Sequence, residues 1–475
     1  MMMPSNENTY EGRAICNPFH SYHRYLFIFF ICFLSFGFYF CMDNPAALTD
    51  DIVNDMDVSM EQYMKLYSYY SVPNTVLSLV GGILIDRVLG ARVGAIIFSS
   101  FCLLGQVVFA SGGFFPAPYG FNVMQIGRFI FEIGGGTLTV CQNVLSVQWL
   151  KGKELHLAFG ARLVVSKFSS LININIMNPI YGTMCEIFPN NLPRTNLSIT
   201  LYFGALMCIF SLIVAFIMFA MDYRASKIRR QYQVLVQDDE IPVEFKWLYL
   251  YKFPLQFWLI VVICVAYYCP VFPFTASAKL YIMNKFAFTE ADAAGIISTI
   301  YIVPMMSSPF LGMMVDSTGM NITWWLVANL ATIGGHLLLG YTFCNPTFAM
   351  FLLGNGYSLC ACTLWPMVGL VVPERQLGIS YGIMQAFQNV GLGGGSIIAG
   401  YIIDKYGYMM EELFFFFCLM LALTSTFLLL LVNRLQGSDL NVARWGKPRI
   451  LRDTRRNPSP DEVQSVDLMS STSSN

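Results

Sequence analysis

The chain has 475 residues, of which 56% are hydrophobic and only 12% are charged, and its net charge at pH 7 is −1. Soluble domains carry about a quarter charged residues, so no set of soluble domains could cover this much apolar surface, whereas a lipid bilayer can. The basic residues are dispersed and form no patch for nucleic acid. The four histidines show no metal-ligand spacing. We therefore predict a membrane protein that is not an enzyme and has no nucleic-acid partner, metal or cofactor.

Apolar stretches long enough to cross a bilayer recur along the whole chain. A spanning helix needs roughly 20 apolar residues. We predict twelve such spans, at 24–42, 62–85, 93–113, 122–148, 157–181, 199–221, 257–283, 294–314, 322–343, 347–372, 380–402 and 409–432. The expected fold is an all-α membrane protein of twelve transmembrane helices in two pseudo-symmetric six-helix halves.

The predicted organisation places the two halves at 24–221 and 257–432, joined by a linker loop at 222–256. An N-terminal tail at 1–23 and a polar C-terminal tail at 433–475, expected to be disordered, complete the chain. The linker and the C-terminal tail are rich in Lys and Arg, whereas the loop after the first span has neither. Because basic loops stay on the cytosolic side, we expect the linker and both termini to be cytosolic.

A short sequence pattern ends four of the predicted spans. GGILIDRVLGAR (81–92) follows the second span and LGMMVDSTGM (311–320) follows the eighth, so that a glycine precedes an acid by four residues in both. The same small-x-x-x-acid pattern ends the fifth span at Gly182 and Glu186 and the eleventh at Gly400 and Asp404. Four matches at corresponding places indicate two parallel halves, each built from inverted repeats.

The pattern predicts a conformational latch at the cytosolic face. Glycine lets two helices approach closely, and an aspartate can bind the free N–H groups at a neighbouring helix N-terminus. The predicted latch residues are Gly82, Asp86, Arg87, Gly90, Arg92, Gly312, Asp316 and Gly319. A polar turn with arginines reaching toward headgroups is the simpler interpretation, but it does not explain the repeat.

These motifs resemble those of a known family. GGILIDRVLGAR is similar to the loop 2–3 signature of the major facilitator superfamily, and Gly127-Arg128-Phe129 resembles its fourth-helix motif. More narrowly, FGFYFCMDNPAAL, WLKGKEL and AGYIIDKYGY resemble segments of lysosomal dipeptide carriers in that superfamily. The resemblance implies a dipeptide uniporter of the lysosomal membrane that works by alternating access with a glycosylated single-span accessory subunit. Composition and spacing alone indicate a twelve-helix transporter.

Charged residues inside the spans are the candidate substrate site, because an ionisable group is costly in a bilayer. A free dipeptide is a zwitterion, so we expect Glu132 to bind its ammonium group and Lys167 its carboxylate, with Lys279 as a second cation. Arg128 could bind substrate or pair with Glu132 one turn away. Asp43 lies nearer the far end of its span. The predicted site is completed by Asn389, Tyr357 and Trp365.

Two other functions remain open. The chain could be a proton-coupled carrier of another small organic anion or a sugar, with Glu132 as the titrating group. It could also be a receptor or scaffold that has kept a carrier fold. The chain departs from the dipeptide-carrier pattern at two positions, with Gly136 in place of an acid and Lys167 in place of an arginine. Lysine keeps the charge but loses the planar fit of arginine to a carboxylate.

Overall fold

The structure is a computed structural model that describes residues 21–152, 154–233 and 253–443. Within these ranges the chain is almost entirely helical and contains no β-strand. The helices are α1 (Ser21–Phe33), α2 (Phe36–Met42), α3 (Asn44–Ala47), α4 (Thr49–Asp55), α5 (Met60–Leu84), α6 (Gly90–Ser111), α7 (Ala117–Leu150), α8 (Leu155–Ile187), α9 (Pro193–Gln233), α10 (Leu255–Phe286), α11 (Glu290–Thr318), α12 (Asn321–Tyr341), α13 (Pro346–Val371), α14 (Leu377–Tyr406) and α15 (Tyr408–Leu435).

These helices supply the twelve predicted spans: α1 and α2 together form the first, and α5 to α15 form the others. Nine stretches of the described ranges are long and apolar enough to cross a membrane by composition alone. Helices α5 and α6 share one of these stretches, while the glycine-rich α7 and α14 contribute none. The expected all-α twelve-helix fold is confirmed.

The ends of the two halves differ from the expected boundaries. Helix α9 continues to Gln233, well into the expected linker. Past α15, a short 3-10 helix at Asp439–Asn441 packs on the start of α12, where Thr323 donates its N–H to Asn441 at 3.0 Å. The expected tail is therefore ordered as far as the described chain extends. The rest of the expected linker and tails, at 1–20, 234–252 and 444–475, lies outside the described residues.

The described chain enters and leaves the bundle at one end, which we call the terminal face: α1 begins there and α15 ends there. Arg24 near the start of α1 forms an ion pair of 3.0 Å with Glu154, between α7 and α8. Arg92 on α6 pairs with Asp222 on α9 at 3.5 Å. The opposite end, the far face, carries α3, α4 and the α10–α11 connection.

The first span is broken between α1 and α2, and polar side chains of neighbouring helices compensate for the break. Gln142 on α7 donates to the Ile31 carbonyl and accepts a hydrogen bond from Ser35 at 2.9 Å. Ser169 on α8 donates to the Phe36 carbonyl at 2.7 Å. Irregular backbone is tolerated inside a membrane only when protein groups satisfy it in this way. The break fixes the direction of α2, which leads to the candidate site.

Candidate functional site

Lys167 is the central cation of the candidate site. It is half-buried on α8, and its Nζ lies 5.2 Å from the ring centre of Tyr301 on α11 and 5.5 Å from that of Tyr357 on α13. Both distances are typical of cation–π contact. Within the described ranges its ammonium group makes no hydrogen bond or ion pair. The structure therefore holds a charged group between the two halves and leaves its hydrogen-bond donors available.

Asp43 is the acid that interacts electrostatically with Lys167. The sequence Asp43-Asn44-Pro45 ends α2, because proline cannot continue the backbone hydrogen bonding and fits the first turn of the short α3. The Asp43 carboxylate lies beside the Ser170 hydroxyl and within electrostatic range of Lys167. The structure thus brings an acid and a base from different helices into one region.

Arg128 and Glu132 are buried one turn apart on α7, beside the end of α2. Arg128 is buried on α7 and donates to the Cys41 and Met42 carbonyls at 3.0 Å each, at the end of α2. Glu132 is fully buried, and its charge is opposed by Arg128. The structure therefore joins Arg128 to the backbone that carries Asp43, and it does not bring Glu132 to Lys167.

The other predicted site residues line the C-terminal half. Trp365 on α13 donates its indole N–H to Tyr268 at 3.0 Å and stacks on Tyr381 at 6.3 Å. Asn389 is half-buried on α14, and its side-chain nitrogen has no hydrogen-bond partner in the described part of the chain. Lys279 is half-buried on α10. Together with the two tyrosines at Lys167, these groups give this half aromatic rings, an amide and one predicted cation.

Arg162 is a charged residue of the interior that the sequence analysis missed. It donates to Asn143 and Gln142 of α7 at 2.7 Å each, and its guanidinium lies 4.9 Å from the Phe159 ring. Gln142 is the same side chain that compensates for the break in the first span. The missed signal was the position of Arg162 inside the predicted fifth span, where any charge is costly.

Asp86 joins the N-terminal half to the C-terminal half at the terminal face. Its carboxylate accepts backbone hydrogen bonds from Gly378 at 2.8 Å and Ile379 at 2.7 Å, in the first turn of α14. Gly82 permits this approach, because a Cβ there would lie 2.2 Å from the Gly378 carbonyl oxygen. An anion at a helix N-terminus is favoured by the free N–H groups and the helix dipole.

Asp316 makes the equivalent contact in the opposite direction. Its carboxylate accepts from the backbone N–H groups of His156 at 3.2 Å and Leu157 at 2.8 Å, at the start of α8. The His156 ring adds a contact of 2.6 Å that Gly378 cannot provide on the other side. Gly312 lies against the backbone of His156, where a Cβ would be 2.6 Å from the carbonyl oxygen.

The remaining predicted latch residues shape the turns around the two aspartates. Gly90 and Gly319 have φ values of +71° and +72°, which glycine adopts without strain. Arg87 is exposed and lies within electrostatic range of Asp86. Arg92 pairs with α9, as described above, and also donates to Ser226 at 3.0 Å.

The two halves are in close contact at the terminal face and separate toward the far face. On α8 and α11, Gly160 and Gly312 each contact the backbone of the opposite half, whereas Gly182 and Gly295 have no atom near the position of a Cβ. The structure therefore represents a state that is closed at the terminal face.

The contacts that Asp86 and Asp316 make between the two halves are called the joints below. A twelve-span bundle with a charged interior, closed at one end by these joints, defines a membrane transporter. The model of the Major Facilitator Superfamily matches residues 26–395 and 278–459, so this chain belongs to that superfamily, as its motifs predicted.

Curated relatives are similar over nearly the whole chain. The human protein named lysosomal dipeptide transporter MFSD1 is 47% identical over 428 residues, which cover 90% of each chain. The protein of the same name from Danio rerio is 44% identical, covering 90% of this chain and 91% of the relative. Among solved structures, the transporter FucP in the outward conformation aligns with a TM-score of 0.67 at 13% identity, covering 86% of this chain and 99% of FucP. The human organic anion transporter MFSD10 aligns with a TM-score of 0.60, covering 86% and 99%. These two likenesses show the fold alone.

Proposed function

We propose that this protein carries dipeptides across the lysosomal membrane to the cytosol by alternating access, as a uniporter. The observation that carries the proposal is the Lys167 ammonium group, which lies between two tyrosine rings in the interior without a hydrogen bond to the described protein. A charged donor in this position can form a strong hydrogen bond with a substrate carboxylate. The relatives named for dipeptide transport support this substrate class.

The two ends of a dipeptide require opposite charges at a separation that the peptide can span. In our proposal Lys167 binds the carboxylate and Asp43 binds the ammonium group. Asp43 replaces Glu132 in this role, because Glu132 is fully buried next to Arg128. Arg128 then positions Asp43 through the α2 carbonyls and does not contact the substrate.

The C-terminal half supplies the contacts that tolerate different side chains. Tyr301, Tyr357 and Trp365 offer aromatic surface, which binds apolar groups of many shapes. The amide nitrogen of Asn389, which has no partner among the described residues, is a donor for the peptide carbonyl. Lys279 stays a predicted second cation.

The Asp86 and Asp316 joints act in this proposal as latches. They stabilise the closed terminal face while the substrate enters from the far face, and their release opens the path to the other side. The basic composition of the linker supports a cytosolic terminal face and a luminal far face. Location in the lysosome rests on the names of the relatives. The glycosylated accessory subunit stays a prediction of the resemblance.

The test is uptake by the purified full chain in proteoliposomes, measured with labelled dialanine and a panel of other dipeptides. We expect saturable uptake and exchange that approach, but do not exceed, equal concentrations on both sides, with or without a pH gradient. Accumulation that requires a pH gradient would favour the proton-coupled carrier. Absence of transport across dipeptides, organic anions and sugars, with the protein folded, would favour the receptor or scaffold.

A further inference from the structure

A second group of buried ionisable side chains lies in the C-terminal half, apart from Lys167. His336 on α12 places its Nδ1 2.9 Å from a carboxylate oxygen of Glu412 on α15. The neighbouring Glu411 accepts a hydrogen bond of 2.8 Å from the Ser277 hydroxyl of α10. The three ionisable residues are only 1–2% exposed. Neither the substrate contacts nor the latches proposed above use any of them.

Several polar atoms of this group lack partners. His336 Nε2, Glu411 Oε2 and Glu412 Oε1 are buried and make no hydrogen bond to the described protein. The rings of Phe274 and Phe415 pack on the imidazole, with centroid distances of 5.0 and 5.6 Å. A buried charge without a partner costs several kcal/mol, about as much as breaking a buried ion pair. Two adjacent ionised carboxylates are therefore unfavourable in this apolar setting.

Two further polar groups of α10 face this cluster. The ammonium group that faces it is Lys285 of α10, which lies within electrostatic range of Glu412 and donates to the Gly340 carbonyl at 2.6 Å. The phenol of Tyr281 faces both glutamates from the same helix. Two ionised carboxylates and one ammonium leave a single negative charge, which the binding of one proton would neutralise. Within the described ranges no set of His, Cys, Asp and Glu side chains is arranged to hold a metal ion.

We propose that His336, Glu411 and Glu412 form a proton-binding site that is filled from the far-face compartment, and that its occupancy sets the rate of the transport cycle. The effect on rate rests on the transport function proposed above, whereas proton binding itself does not. The proton is bound and released on one side only, so the carrier remains a uniporter.

Two cavities give the site a route in and a connection to the substrate region. A cavity of about 370 Å³, lined by Tyr281, Lys285, Gly340 and Tyr408, lies beside it. The Cβ of Glu412 is 3.6 Å from the position that a Cβ on Gly340 would take. On the inner side, a void of about 10 Å³ is lined by both His336 and Tyr357. This volume is about the smallest that can hold one water molecule. The ring of Tyr357 lies over Lys167, so this void and one side chain lie between the imidazole and Lys167.

The direct test is infrared difference spectroscopy of the full chain in lipid nanodiscs between about pH 7.5 and about pH 5, the range in which histidine-linked sites titrate. We expect the carbonyl band of a protonated carboxylic acid to be altered or lost in Glu412→Gln and in Glu411→Gln. Glu374→Gln, which changes an exposed carboxyl at the terminal face, should leave it unchanged. His336→Gln should shift the pH at which the band titrates. Identical spectra for wild type and all three site variants would overturn the proposal. Ser277→Ala, which keeps all three ionisable groups, provides a further comparison if a glutamate variant does not fold.

The transport test varies the pH of the far-face compartment alone. We expect the exchange rate of labelled dialanine to change about fivefold or more across this range, the low end of coupling between two sites. The change should disappear in Glu412→Gln and persist in Glu374→Gln. An unchanged pH response in Glu412→Gln would overturn the effect on rate. If no dipeptide is transported by the wild type, the transport proposal fails, and the infrared result still decides whether the proton site exists.

Discussion

The terminal-face joints are symmetric between the two halves of the bundle, whereas the proposed substrate groups in its interior are not. At the terminal face, each half offers one aspartate to the first turn of a helix in the other half, as Asp86 does to α14 and Asp316 to α8. In the interior, the two charges that we propose to bind the ends of the substrate, Lys167 and Asp43, both come from the N-terminal half. The C-terminal half presents aromatic rings and an amide there.

This difference separates two tasks. A joint that must open and close between equivalent halves works with the same chemistry on both sides, so symmetry is retained. A site for an asymmetric zwitterion needs different groups at its two ends, so symmetry is lost. The comparison implies that changes at the interior alter substrate affinity and selectivity, whereas changes at the joints alter the balance between the two states of the carrier.

The largest expected effect comes from removing the interior cation. Lys167→Ala removes a charge-assisted hydrogen bond worth about 1.5–3 kcal/mol. We expect about a 10- to 100-fold loss of apparent affinity for dipeptides, measured by competition for uptake, and a smaller loss for Lys167→Arg. Wild-type affinity in Lys167→Ala would remove the site from our proposal. Lys151, which lies between α7 and α8 at the terminal face, offers a control in Lys151→Ala.

The second effect distinguishes the acid expected from the sequence, Glu132, from the acid that we propose, Asp43. Asp43→Asn should weaken binding of free dipeptides by about tenfold or more, from loss of a charged partner, but spare N-acetylated dipeptides, which lack the ammonium group. Glu132→Gln should affect both kinds of ligand equally, because Glu132 is fully buried beside Arg128 and has no substrate contact in our proposal. The reverse result, with selectivity lost only in Glu132→Gln, would restore the original assignment. Binding measured on matched pairs of free and acetylated peptides decides between them.

The contacts at the terminal face were predictable because their sequence pattern occurs in both halves. The Gly82/Asp86 and Gly312/Asp316 pairs stand at the same place in each half. Because a helix N-terminus has free N–H groups and partial positive charge, it is the expected partner of each aspartate. The hydrophobic pattern predicted the helices equally well. It could not predict that α9 continues to Gln233, because a charged helix outside the bilayer carries no hydrophobic signal.

The asymmetric part was not predictable in the same way. Glu132 and Lys167 both lie in predicted spans, but the sequence does not show which helix face turns to the interior. The break after Phe33 and the end of α2 at Met42 bring Asp43 near Lys167, and both depend on partners from distant helices, such as Gln142 and Ser169. Tertiary hydrogen bonds of this kind cannot be read from a local pattern.

The third effect concerns the joints. Asp86→Asn keeps one acceptor oxygen and loses the negative charge at the α14 N-terminus, which we expect to weaken the closed terminal face by about 1 kcal/mol. Asp316→Asn should do the same at α8. Transport should slow several-fold with substrate affinity little changed. The native Cys362 is buried against Gly160 where the two halves meet, and it should react faster with a membrane-impermeant thiol reagent in Asp86→Asn. Normal turnover together with unchanged cysteine reactivity would argue against a latch.

The smallest effect tests whether the far face forms equivalent joints, which are open in this structure and would close in the other state. The pattern of glycine and acid recurs at Gly182 and Glu186 on α8, and at Gly400 and Asp404 on α14. Both acids are exposed, and neither glycine has an atom near the position of a Cβ. By the inverted symmetry of each half, closure of the far face would bring Glu186 to the first turn of α11 and Asp404 to that of α5.

Those two helix starts are capped in this state by their own side chains. Thr289 accepts from the Asp292 N–H at 3.2 Å, and Ser59 accepts from the Gln62 N–H at 3.2 Å. The same turns already carry the acids Glu61, Glu290 and Asp292, so an acid arriving from the other half would add at most about 0.3–1 kcal/mol of dipole interaction. We expect Glu186→Gln and Asp404→Asn to shift the carrier by about two- to fivefold toward the state seen here, opposite in direction to Asp86→Asn. Distances between spin labels across the far face measure this shift. A shift in the same direction as Asp86→Asn would show that the far-face acids are not the counterparts of the terminal-face joints.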